Sequence, residues 1–249
     1  MRNRLVYPLG LLLFLAGPLL AQPTTPRAVL EAMKAAGVNR EATLTFVQTT
    51  IRHRPNGTVD TTTWYEAAVP GKLRIDFAPI EAGNGALYAE GKQYVFQNGQ
   101  LVDSQPDLNP LQLLLMDLFA YPLDRSTHLL DSLGYDLSVM HTASWQGRPV
   151  YVVGAAAGDT TRAQFWVDQE RLISVRIMHP VGQNGQFMLD AQVPGWERIK
   201  GVWHENHILL YVNGRMFQEE HYHNIRTGIT LDPNLFDPSH WSISTPYWQ

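Results

Sequence analysis

Gly85-Ala86-Leu87-Tyr88-Ala89-Glu90-Gly91-Lys92-Gln93-Tyr94-Val95-Phe96-Gln97-Asn98-Gly99-Gln100-Leu101-Val102-Asp103 is the stretch that sets the fold class. Two turn dipeptides, Glu90-Gly91 and Asn98-Gly99, divide it into runs 86–89, 92–97 and 100–103, which carry Tyr, Val, Leu and Phe. Asn-Gly accepts the positive φ that a tight hairpin needs, so the stretch reads as an antiparallel meander. The same grammar extends outward. Residues 43–52 and 60–67 flank the turn Pro55-Asn56-Gly57, and Pro70-Gly71 leads into 72–77. Further strands are predicted over 137–141, 148–155, 161–167, 172–179 and 186–192. A last hairpin, 201–212 with 215–225, turns at Asn213-Gly214. Ten or so strands in one meander tend to curl, because a long open sheet leaves its edges unprotected.

Two interruptions read as helical. Thr25-Pro26 offers an N-cap followed by Pro at the first helical position, Val29, Leu30 and Met33 share a face, and Gly37 is suited to a left-handed stop. Asn109-Pro110 opens a helix over 110–120 whose residues Leu111, Leu113, Leu114, Leu115, Met116, Leu118 and Phe119 point in almost every direction, and Pro122 stops it. A helix apolar all round must be covered on all sides. It either plugs the sheet as core or lies with one side against an apolar cavity. A second helix is predicted over 126–133, and the Pro- and aromatic-rich tail 231–249 is expected across the surface.

The 249 residues are 45% hydrophobic and 17% charged, enough to build a core. A net charge of −4 leaves no basic footprint for nucleic acid, and the absence of cysteine removes disulfides, thiolate metal sites and Cys nucleophiles together. Arg2 and Arg4 precede an apolar stretch, then small residues and Leu19-Leu20-Ala21. This is a secretory signal pattern, too short to span a bilayer, with cleavage expected after Ala21. Residues 1–21 are thus read as a signal peptide and 22–249 as a single domain, exported and soluble.

No nucleophile elbow, phosphate loop or dinucleotide fingerprint is present. His204-Glu205-Asn206-His207 has the wrong spacing for a zinc-protease helix and sits in a strand. With Asn213-Gly214 as a two-residue loop, partner numbers across the last hairpin sum to 427, which sets His204 opposite His223 and Asn206 opposite His221. His204, His221, His223 and Glu219 would then share a face. No tight metal is expected there, since no carboxylate is clearly placed to orient the rings. Asp76, Glu90, Asp168 and Asp190 are scattered beside turn residues, with no acid–base couple among them. The chain is therefore read as a non-enzyme without a cofactor.

An ordered set of segments carries a resemblance. Phe46-Val47-Gln48 lies in the first long strand. Pro70-Gly71-Lys72-Leu73-Arg74, Glu90-Gly91-Lys92-Gln93-Tyr94-Val95-Phe96, Asn109-Pro110-Leu111, Phe165-Trp166-Val167-Asp168 and Leu172-Ile173-Ser174-Val175 follow in turn. Over about residues 26–192 the chain resembles the LolA-like lipoprotein-sorting and lipid-carrier proteins. The resemblance implies a half-closed antiparallel β-barrel with helices across its open, concave side and an apolar cavity beneath them. It implies a periplasmic carrier of lipid or lipoprotein acyl chains that meets membrane-bound donor and acceptor proteins. Where the dedicated carriers have an Arg before the proline that tethers the lid, this chain has Val69; Arg74 fills a later Arg position and is expected either to bond lid carbonyls or to lie solvated on the outer face. The candidate ligand-binding residues are Phe46, Leu73, Arg74, Ile75, Phe96, Leu113, Leu114, Leu118, Phe119 and Trp166. The alternative is an envelope sensor or adaptor docking a protein partner through the same fold.

Overall fold

A computed structural model describes residues 22–241, 247 and 248; the leader 1–21 lies outside the described residues. Thirteen strands form one antiparallel sheet in the order β6-β5-β4-β3-β2-β1-β13-β12-β11-β10-β9-β8-β7. In chain order they are β1 (Leu44–His53), β2 (Val59–Val69), β3 (Lys72–Phe77), β4 (Gly85–Ala89), β5 (Lys92–Gln97), β6 (Gln100–Pro106), β7 (Met140–Trp145), β8 (Arg148–Val153), β9 (Gln164–Asp168), β10 (Ser174–Val181), β11 (Phe187–Ile199), β12 (Val202–Val212) and β13 (Arg215–Thr227). The order follows from two meanders. Consecutive hairpins build β1–β6 and β7–β13, and pairing of β1 with β13 joins them. The sheet does not close; β6 and β7 are its edges.

Helices cover one face, here called inner. Helix α1 (Pro26–Ala36) is capped by the Thr25 side chain, which accepts from the Ala28 N–H, and buries Val29, Leu30 and Met33. It ends at Gly37 with φ −94°, not in the expected left-handed turn. Glycine is needed there for a different reason: a Cβ would fall 2.3 Å from the Phe119 ring. The segment 110–120 departs from a plain α-helix. It runs as α2 (Pro110–Gln112), a π-helical turn Leu113–Asp117 and α3 (Leu118–Ala120), with Leu118 N–H donating to Leu113 O, five residues back. Helix α4 (Leu123–Ser132) follows. Leu113, Leu114 and Leu118 pack with α1 and with Tyr151, Phe165 and Ile177 of the inner sheet face in the main core.

The outer face of β2–β5 is covered by the C-terminal tail. Leu235, Phe236, Trp241 and Tyr247 pack on Ala67, Leu87, Ala89 and Phe96, and the Phe96 and Trp241 rings stack at 4.1 Å. Gly85 makes room for this, since a Cβ there would meet the Trp241 ring at 2.7 Å. Arg74 sits beneath the tail and corrects both expectations for it. It lies on the outer face but is 1% exposed, and it bonds the tail carbonyls of Leu235 (3.2 Å) and Trp241 (2.9 Å), not lid carbonyls.

Candidate functional site

The space between the inner sheet face and the 110–120 segment is a half-open cavity of about 820 Å³. Strand alternation sets its floor. Phe46 and Gln48 on β1, Glu66 on β2 and Leu73 and Ile75 on β3 point inward, as do Gln218, Glu220 and Tyr222 on β13. Leu111, Leu115 and Met116 form the lid side, and Ile208 and Leu210 of β12 complete an apolar wall.

The lid is held at three points. Asn109 caps its start, its side chain accepting from the Leu111 and Gln112 N–H groups. Lys34 of α1 donates to the carbonyls of Leu118 (2.8 Å), Phe119 (3.3 Å) and Tyr121 (2.5 Å), satisfying the orphan acceptors at its end. Between them, Asp117 Oδ1 accepts from Gly71 N–H at 2.9 Å. The turn that follows Val69 thus meets the lid through its backbone, with no arginine needed. Burial pushes the Asp117 carboxyl up to about 6, against the pull of its Gly71 and Gln112 hydrogen bonds.

The floor is only partly apolar. Gln48 Nε2 donates to Thr50 Oγ1 (2.7 Å), while Gln218 Nε2 (2.5 Å) and Tyr222 Oη (2.7 Å) donate to the Glu220 carboxylate. Glu66 is buried and has no side-chain hydrogen bond among the described residues. Burial, and then the neighbouring Glu220, raise its carboxyl well above the ordinary range. Glu220 is raised by burial too, its hydrogen bonds to Tyr222 and Gln218 opposing the shift. Glu205 also reaches the cavity; its Oε2 pairs with Arg40 at 3.1 Å and its Oε1 has no partner among the described residues. A strip of carboxylates therefore crosses a chamber whose lining is part apolar and part polar, with Gln48, Asn109, Gln112 and His179 also reaching it.

Of the sequence candidates, Phe46, Leu73 and Ile75 line this cavity. Leu113, Leu114 and Leu118 do not; they turn away from it into the main core. Phe119 lines a neighbouring cavity of about 230 Å³ with Arg40, Leu44 and His204, and Arg40 lies 4.7 Å from its ring centroid. Phe96, Arg74 and Trp166 belong to the outer face. Trp166 packs edge-on to Trp145 at 5.4 Å, with the Arg176 guanidinium 4.8 Å from its ring. Sequence reasoning missed Leu111, Leu115 and Met116, although they lie in the same apolar run. It also missed Gln48, Glu66 and Glu220. Counting by two along the strand from Phe46 reaches Gln48, which is the signal that could have found it.

The histidine cluster also differs from expectation. Val212 pairs with Arg215 and Tyr211 with Met216, as a two-residue loop requires, but a bulge follows and Leu210 pairs with Gln218. The one-residue slip brings His207 opposite His221. His204 pairs instead with Glu197 of β11 and is buried, with its imidazole pushed down to about 3 by burial and by Arg40. His223 lies 3.3 Å from Thr49 Oγ1. The residues that converge are His207, Glu219 and His221, on the outer face.

No protein-family model matches the sequence, and none of the curated proteins does. Solved structures do. A DUF1329 family protein from Desulfovibrio piger superposes with a TM-score of 0.60 at 14% identity, over 86% of this chain and 96% of that one. A LolA superfamily protein from Nitrosomonas europaea gives 0.58 at 14% identity, over 86% and 98%. The fold is LolA-like. A putative outer membrane lipoprotein-sorting protein domain from Vibrio parahaemolyticus is similar as well, at 0.58 and 10% identity over 86% and 97%. At such identities the LolA-like likeness is one of architecture: an unclosed antiparallel sheet with helices on its inner face. Among the described residues, no helix is long and apolar enough to cross a membrane.

Proposed function

We propose that this protein is an exported, non-enzymatic carrier that shields lipid acyl chains, free or on a lipoprotein anchor, in the cavity beneath the 110–120 lid. The observation that carries this reading is the cavity itself, about 820 Å³ between Leu111, Leu115 and Met116 above and Phe46, Leu73 and Ile75 below. Its size lies in the range of pockets that engulf small ligands. About eight methylenes buried there would contribute about 6.4 kcal/mol at ~0.8 kcal/mol each, a Kd of about 20 µM. That is tight enough to hold a chain in water and weak enough to release it to a membrane. The LolA-like fold and the secretory leader in the sequence support transit through the periplasm, with residues 22–249 acting as one unit.

Native mass spectrometry of gently purified protein is expected to show co-purified lipid. A fluorescent fatty-acid probe should bind the wild type, and Leu111→Glu or Met116→Glu, at partly buried lining positions, should leave a folded protein with binding reduced at least tenfold, because a charge would stand where chains must lie. Neither lipid nor probe binding, or unchanged probe binding in both folded variants, would overturn the carrier reading. Intact mass of the exported protein is expected to begin at Gln22; a retained Met1 in the membrane fraction would refute cleavage.

A further inference from the structure

The outer face of the last hairpin carries a group of side chains that the carrier reading does not use. Glu219 and His221 are two residues apart on β13 and therefore project to the same face, and His207 of β12 is the direct cross-strand partner of His221. The inner face of the same strand belongs to the cavity, through Gln218, Glu220 and Tyr222. On the outer side, both Nε2 atoms, of His207 and of His221, lie 2.9 Å from Glu219 Oε1. The two imidazoles stack with centroids 4.3 Å apart and planes 15° from parallel. All three ligand atoms lie within 4.8 Å of one another.

We propose that His207, Glu219 and His221 form a binding site for one divalent transition-metal ion of the zinc class. The donor set is two borderline imidazole nitrogens and one carboxylate oxygen, which suits zinc, nickel or copper better than the hard ions magnesium and calcium. Zinc–nitrogen and zinc–oxygen bonds near 2.0–2.1 Å set tetrahedral ligands about 3.3 Å apart. The two 2.9 Å contacts therefore need to open by only about 0.4 Å, within reach of a side-chain adjustment on a fixed backbone. Binding replaces the ring protons that now face Glu219, and the tautomers then carry their protons on Nδ1. The side chains are partly exposed, at 28% for His207, 24% for Glu219 and 37% for His221, so water can complete the coordination. Backbone pairing between β12 and β13 fixes two ligands across the ladder. The bulge at Leu210/Tyr211 is what creates the site, since without it Asn206 would stand opposite His221.

The test is titration of untagged, chelator-treated protein with zinc chloride by calorimetry, with far-UV circular dichroism as the folding control. One ion per chain is expected with a Kd of 10 µM or tighter. His207→Ala and His221→Ala should each weaken it at least tenfold, as should Glu219→Gln, which keeps the hydrogen-bonding shape but loses the charge. His223→Ala and His240→Ala should bind as wild type within threefold. Should His221→Ala fail to fold, His221→Gln takes its place. Absence of stoichiometric zinc binding, retention of wild-type affinity in the folded His207 and His221 variants, or an equal loss in His223→Ala or His240→Ala would overturn the proposal.

Discussion

Replacing Arg74 by Ala is expected to loosen the C-terminal tail and destabilise the fold far more than loss of a surface charge would. The guanidinium makes four hydrogen bonds. Two form a fork onto Asp76, Nε to Oδ2 at 2.7 Å and Nη2 to Oδ1 at 2.9 Å, and two reach Leu235 O and Trp241 O. It also lies 4.0 Å from the Trp241 ring centroid. Arg74 and Asp76 are 1% and 3% exposed, so the alanine variant leaves a buried carboxylate whose remaining side-chain partner among the described residues is the Tyr247 hydroxyl, together with two carbonyls that lose this donor. Breaking a buried pair from one side costs about 3–5 kcal/mol. For a chain of this size that corresponds to a fall in Tm of about 6–20 °C. Urea denaturation followed by tryptophan fluorescence measures the loss directly. The double variant Arg74→Ala/Asp76→Ala should recover about 2 kcal/mol or more relative to Arg74→Ala, because no uncompensated charge remains. A loss below about 1 kcal/mol for Arg74→Ala, or strictly additive effects in the double variant, would refute the assignment of Arg74 as the buried fastening of the tail.

Two further outcomes follow from the inner face. Leu114 is fully buried in the main core, so Leu114→Ala should cost about 2–5 kcal/mol in chemical denaturation; a cost under 1 kcal/mol would mean that the lid side has been turned the wrong way. Glu66 has its carboxyl raised by burial and by Glu220, so the folded state holds a proton that the unfolded chain gives up near 4.5. The stability linked to that proton is present below 4.5 and is lost as pH rises through the raised value. Thermal melts of Glu66→Gln and wild type should therefore diverge in favour of the variant as pH climbs from 4.5, and a gap constant in pH would sink the argument.

What the sequence determined by itself is what short-range chemistry controls. Turn dipeptides such as Glu90-Gly91, Asn98-Gly99 and Asn213-Gly214 adopt positive φ locally, so they marked strand boundaries without knowledge of the rest. Thr25-Pro26 and Asn109-Pro110 likewise started helices where they stand. Alternation put Leu73 and Ile75 on the face opposite Arg74, but it did not say which of the two faces is inward. The tertiary structure decided everything that depends on a distant partner. The π turn and the contacts with α1 set the rotation of 110–120, so that Leu113, Leu114 and Leu118 lie wholly in the core while Leu111, Leu115 and Met116, which also pack with it, reach the cavity. A single bulge changed which histidines meet, because one residue of slip moves every pair beyond it. Phe96, Arg74 and Trp166 had the right polarity pattern for a site and the wrong face of the sheet. Periodicity tells which residues share a face; only packing against the tail or the helices tells which face is covered by what.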